Sequence, residues 1–250
     1  IANQGHLTFE TTQDRCVAIA SAARQAGVTI ASLASSAFWD VNVGHDDPDV
    51  RRRAMDMTTA MLDRAAWLEA PVILTIPAVV GHARSPRATC RYEIALARTV
   101  AAYEELVVEA EARGVAIGLE NVWNRFLLSP IEFRDLLDRI NSPWVGAYLD
   151  VGNLLPLGYP QDWIETLAHR IIGVHIKDYR LERRGPNGTI TPGAFVSPGQ
   201  GDVDFPRVVD ALKRVGYGGH LTFEGAGDRA AVAGGIRRWI ESSPDQSTPD

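Results

Sequence analysis

The sequence predicts an α/β fold of the (β/α)8 barrel kind, and three observations carry that expectation. Short apolar runs alternate with amphipathic stretches along the whole of the 250 residues. Four successive runs in the second half, VAIGLE, WVGAYLD, RIIGVH and GGHLTFE, close on residues that carry an oxygen or nitrogen donor: Glu120, Asp150, His175 and Glu224. Buried parallel strands read as such continuous apolar runs, and a barrel aims the ends of several strands at one rim. Third, the first strand lacks the GxGxxG fingerprint that would favour the alternative, an open doubly wound sheet.

Each element has its own local reason. Thr12 to Ala26 is amphipathic and stops at Gly27, and the β-branched VTIASLA from Val28 to Ala34 reads as the first strand. Asp47 and Pro48 supply an N-cap and a first-turn proline for a helix to about Leu68, ahead of the strand PVILTI. A helix from about Ala88 to Arg113 ends at Gly114, where the strand to Glu120 begins. Ser129, Pro130 and Glu132 open the next helix, with Phe133, Leu136, Leu137 and Ile140 as its buried face. The strand to Asp150, a helix around Trp163 to Ala168 and the strand to His175 follow. After a long Gly/Pro-rich loop, Asp204 and Pro206 start a helix that ends near Gly216. The strand to Glu224 then leads to a last helix around Ala230 to Ile240.

That makes six strands where a closed barrel needs eight. The expectation is therefore a barrel whose N-terminal strands are missing from this sequence, a strand–helix–strand segment of roughly 30 residues upstream of Ile1. Residues 1–241 are read as one domain, N-terminally incomplete, and 242–250 as a flexible polar tail.

Composition narrows the function. A hydrophobic content of 46% can bury one large core, and a net charge of −6 with no basic stripe argues against a nucleic-acid surface. Cys16 and Cys90 form no CxxC unit, no apolar run reaches membrane-span length, and no signal core opens the chain. A reduced, cytoplasmic setting is expected, with no membrane partner. The four strand-end residues, rich in oxygen donors and carrying a single imidazole, suit Mn²⁺, Mg²⁺ or Co²⁺ better than a thiolate-bound structural zinc.

Five motifs in order, GLEN (118–121), YLDVGN (148–153), VHIKD (174–178), GQGDVDF (199–205) and TFEG (222–225), resemble the xylose-isomerase-like TIM barrel superfamily of sugar isomerases and epimerases. The resemblance runs over roughly residues 28 to 240 and is nearest to pentulose-5-phosphate and other ketose 3-epimerases. It implies that Glu120, Asp150, His175 and Glu224 bind one divalent metal ion, Mn²⁺ first, with Mg²⁺, Co²⁺ or Zn²⁺ as alternatives. It also implies that Glu120 and Glu224 are the acid/base pair. A small-molecule sugar or sugar phosphate is the expected partner, and a homo-oligomer is compatible with it. Gln200 stands where relatives often carry an acid, and the 180–198 loop is long.

The chemistry explains the set. A proton α to a ketone is too weakly acidic for an unaided carboxylate, whereas a cation at the carbonyl stabilises the enediolate. Two opposed carboxylates then remove and return the C3 proton with inversion. Isomerisation or dehydration of a keto-polyol on the same site, or a catalytically silent sugar-binding barrel, are the competing readings. A multi-metal nuclease would need more strand-end histidines than this chain has.

Other rim residues keep two readings. Asn153 contacts substrate or caps a helix, and Lys177 contacts substrate or pairs with Asp178 or another carboxylate. Trp123 walls a sugar face or packs, and His82 is a substrate contact or a loop residue. Arg180, Arg183 and Arg184 hold a phosphate or form a solvated charge cluster.

Overall fold

A computed structural model of the chain describes residues 6–82, 88–225 and 227–242. Backbone contacts divide these described residues into two compact units, one made of those up to 127 and of 135–148, the other of 128–134 and those from 149 onward.

In the first unit, α1 (Gln13–Gln25) is N-capped by Thr12, whose hydroxyl accepts from the Arg15 amide, and Gly27 turns the chain in the left-handed region. The strand β1 is Ser32–Ala34, shorter than the run from Val28 suggests. Only those three residues find partners, Ser32, Leu33 and Ala34 registering with Val72, Ile73 and Leu74, and Val28 is exposed. After a 3-10 turn over Ser36–Trp39, α2 (Pro48–Trp67) starts where the Asp47 carboxylate accepts from Asp49 N–H. Next come β2 (Val72–Thr75), α3 (Tyr92–Arg113) and β3 (Ala116–Glu120). The Thr75 and Tyr103 hydroxyls, 2.7 Å apart, tie β2 to α3 inside the core. Burial pushes the Tyr103 phenol well above its ordinary range.

The helix α4 (Pro130–Ile140) begins in a reciprocal cap. The Ser129 hydroxyl accepts from Glu132 N–H while the Glu132 carboxylate accepts from Leu128 N–H, and Phe133, Leu136, Leu137 and Ile140 are buried as their spacing requires. The strand β4 (Val145–Asp150) is buried at every position. It lies parallel to β3, Glu120 registering with Tyr148.

The second unit continues from the end of β4. It holds the single turn α5 (Val151–Leu154), then α6 (Pro160–Leu167) and β5 (Ile171–Ile176). The segment expected as a plain loop contains two antiparallel ribbons: β6 (Asp178–Arg180) with β9 (Ala194–Val196), and β7 (Arg183–Arg184) with β8 (Ile190–Thr191). The helix α7 (Phe205–Arg214), capped by Asp204, precedes β10 (Leu221–Phe223) and α8 (Arg229–Ser242). Phe205 stacks on Trp239 at 4.2 Å, joining α7 to α8. Six parallel strands follow the order β1-β2-β3-β4-β5-β10. Ser242 closes α8, and the rest of the expected tail, 243–250, lies outside the described residues. Among the described residues no helix is long and apolar enough to cross a membrane.

Candidate metal centre

Strand register explains why the predicted ligands share a face. Side chains alternate along a strand, so Tyr148 and Asp150 point to one side of β4, and Glu120, in register with Tyr148, points there too. His175 registers with Thr222, and Glu224, two residues beyond, lies on the face of His175, its own amide still bonded to the Ile176 carbonyl. Glu120, Asp150, His175 and Glu224 each offer one ligating atom, and these atoms all lie within 4.8 Å of one another.

Asp150 is fully buried and divides its carboxylate between two tasks. Oδ1 accepts from Asn153 N–H at 2.9 Å and so caps α5, while Oδ2 faces His175 Nδ1 at 3.9 Å and Lys177 Nζ at 3.5 Å. Glu224 Oε2 lies 3.1 Å from His175 Nδ1 and 3.2 Å from Lys177 Nζ. The hydrogen bond from His175, then the charges of Lys177 and His175, outweigh the opposing effect of burial and hold the Glu224 carboxyl at about 2, below its ordinary 4.5. Glu224 is a carboxylate at any pH near neutrality.

The donor set fits a divalent cation. Three carboxylates gathered around one imidazole repel each other, and Lys177 offsets only part of that charge, so a doubly charged ion bound by hard oxygen ligands and one nitrogen complements the cluster.

The remaining predicted residues fall in different surroundings. Lys177 joins the cluster through Asp150 and Glu224, the pairing with another carboxylate that the sequence allowed, while the Asp178 carboxylate accepts from backbone amides. Asn153 is buried on α5 with its amide held by Asp150. Trp123 is half-buried in the loop after β3. His82 is exposed and stacks on Trp39 at 5.2 Å, its carbonyl accepting from Arg125 Nε. Arg180 donates to the Gln200 carbonyl and Arg183 to Asp202, with Arg184 3.7 Å from Glu182, so these cations serve the loop itself.

Sequence reasoning named Asp178 only as a partner for Lys177 and missed its role as an anchor for the loop. Its buried carboxylate accepts from four amides: Tyr179 at 2.8 Å and Val203 at 3.2 Å on Oδ1, Gly199 at 2.9 Å and Gly201 at 2.7 Å on Oδ2. A Cβ at Gly201 would meet Asp178 Oδ1 at 2.2 Å. The glycines of GQGDVDF thus wrap an aspartate, and the alternate glycines at 199 and 201 were the available signal. Asn124 and Asn42 were missed too. In the first unit they bond the backbone of residues 78–81 and 79 respectively, the kind of loop bracing that spacing alone does not reveal.

The sequence matches the family model described as xylose isomerase-like TIM barrel over residues 2–243. It is 27% identical over 198 residues to an uncharacterised protein of Methanocaldococcus jannaschii, covering 78% of this chain and 64% of that one. With the L-ribulose-5-phosphate 3-epimerase of Salmonella paratyphi A it shares 26% identity over 242 residues, 94% of this chain and 79% of the relative. The chain thus spans a little under two thirds to about four fifths of the length of these relatives. Among solved structures, a D-tagatose 3-epimerase-like protein superposes with a TM-score of 0.76 at 22% identity, covering 96% of this chain and 87% of the other.

Proposed function

Since the chain belongs to the xylose isomerase-like TIM barrel family, we propose that it is a divalent-metal-dependent enzyme that epimerises a ketose or ketose phosphate at C3. The observation that carries this reading is the gathering of two glutamates, an aspartate and a histidine within 4.8 Å. A binding barrel has no use for two bases at one ion site, and the epimerase activity of a 26% identical relative supports the same class of chemistry.

Glu120, Asp150, His175 and Glu224 would hold the ion, with Mn²⁺ the preferred occupant. When bound, the cation would acidify the position next to the carbonyl by stabilising negative charge on oxygen. Glu120 and Glu224 exchange the C3 proton, one removing it and the other delivering one to the opposite face. Glu224 is ionised near neutrality, as a group that accepts a proton must be, and Lys177 lies 3.2 Å from its carboxylate. Asp150 holds α5 and so the Asn153 side chain beside the substrate, and Lys177 orients Glu224. Trp123 and His82 are the outer substrate contacts of this reading.

The test is a panel of pentuloses, hexuloses and their phosphates, incubated with Mn²⁺-loaded protein and separated by chromatography. A C3 epimer should appear with wild type and vanish with Glu120→Gln and Glu224→Gln. Asp150→Ala and His175→Ala should chiefly weaken Mn²⁺ binding in calorimetry. Full turnover by Glu224→Gln with the ion bound would refute the two-base mechanism.

A further inference from the structure

The chain contains only two lysines, Lys177 and Lys213, against 23 arginines, so a lysine beside the metal centre calls for a physical reason. Lys177 is four-fifths buried and its ammonium reaches Asp150 and Glu224 on one side. On the other side it sits 4.6 Å above the centre of the Phe195 ring. A compact ammonium can be steered by an aromatic face in this way.

Phe195 is itself 43% exposed and owes its place to the ribbon. It registers with Tyr179 across β6 and β9 and meets that ring edge-on at 5.1 Å. The ribbon is in turn fastened at its root by Asp178, the residue after Lys177, which gathers the amides of Gly199, Gly201 and Val203 from the far end of the loop. From below, Gly152 of α5 lies so close that a Cβ there would meet the Lys177 carbonyl carbon at 2.8 Å, which fixes the backbone from which the lysine departs.

We propose that Asp178 is a positioning residue: by pinning the loop it holds Phe195 under Lys177, and Phe195 keeps the ammonium on the Asp150 and Glu224 carboxylates. The anchor, the ring and the lysine form one chain of contacts, with only the last member at the metal centre. Its catalytic consequence rests on the epimerase reading; its structural part does not.

The experiment uses the full chain and limiting acetic anhydride, with peptide mass spectrometry comparing acetylation at Lys177 with that at Lys213. Lys213, which donates to the Ile240 carbonyl far along the sequence from this loop, is the internal standard. Phe195→Leu keeps apolar bulk and removes the ring, so the Lys177/Lys213 ratio should rise about two- to fivefold, the scale of a cation–π contact at such a site. Phe195→Tyr should retain the wild-type ratio. Asp178→Asn puts an amide NH₂ where backbone N–H groups converge, so it should raise the ratio similarly. It should also speed hydrogen exchange at Gly199, Gly201 and Val203, which Phe195→Leu should leave protected. In ketose turnover, both variants should lower kcat by about the same two- to fivefold with KM little changed, as expected when the lysine that places a catalytic carboxylate is held less firmly. An unchanged labelling ratio in Phe195→Leu and Asp178→Asn would overturn the proposal. So would an effect of Phe195→Leu confined to KM, which would make the ring a substrate contact instead. If wild type turns over no ketose, the epimerase reading fails while the labelling and exchange results still decide this one.

Discussion

Asp150 shows how much a single side chain carries. One oxygen caps α5 and the other faces His175 and Lys177, so its loss removes a cap and a ligand together. Asp150→Asn should therefore keep the cap yet lose Mn²⁺ affinity, a separation that calorimetry and urea denaturation can read side by side. Away from the centre, the buried Thr75–Tyr103 pair is the clearest polar contact in the core. Tyr103→Phe leaves the Thr75 hydroxyl without that partner in a dry interior. Urea unfolding should show a loss of about 1–3 kcal/mol, and a loss below the error of the measurement would mean that the hydroxyl finds another acceptor.

At the scale of elements, the sequence displayed helices more faithfully than strands. Asp47, Ser129 and Asp204 cap helices where their chemistry says they should, because a cap is a local bond between neighbours. The first strand was overextended because β-branched residues from Val28 onward satisfy a propensity, whereas strand length depends on a distant partner, and β2 pairs with only Ser32–Ala34. The 178–203 segment was opaque for the same reason: its ribbons depend on Asp178 reaching amides more than twenty residues away. The four candidate ligands were legible since each ends an apolar run, and strand register then fixes their common face. Lys177 was legible as a residue but not as a partner of Glu224. Gly152→Ala would push α5 off the Lys177 backbone and should weaken Mn²⁺ binding measured by calorimetry although no ligand is altered; unchanged affinity would show that α5 yields without moving Asp150.

For the molecule as a whole, the centre links stability to pH and to metal. Without the ion, the Glu224 carboxyl sits at about 2 in the folded protein against an ordinary 4.5. A lowered folded-state value contributes stability that is complete above the ordinary value and disappears as pH falls through the folded one. Metal-free wild type should therefore lose its advantage over Glu224→Gln between about pH 4.5 and 2, an effect kept modest because the side chain is nearly half exposed. Urea midpoints of the two proteins across that range check the sign. Mn²⁺ should raise the thermal midpoint of wild type by mass action, by about 2.7 kcal/mol of added stability at a hundredfold excess over Kd, and should leave His175→Ala unmoved.

If this centre inverts C3 of a ketose, the position of solvent-derived hydrogen in the product reveals it. Mn²⁺-loaded protein incubated with L-ribulose 5-phosphate and with free ketoses in D₂O, followed by NMR, should place deuterium at C3 as the epimer accumulates. Glu120→Gln and Glu224→Gln should both abolish that incorporation. Deuterium at C1, which marks aldose–ketose isomerisation, or no exchange at any carbon while Mn²⁺ is demonstrably bound, would rule out C3 epimerisation by this centre.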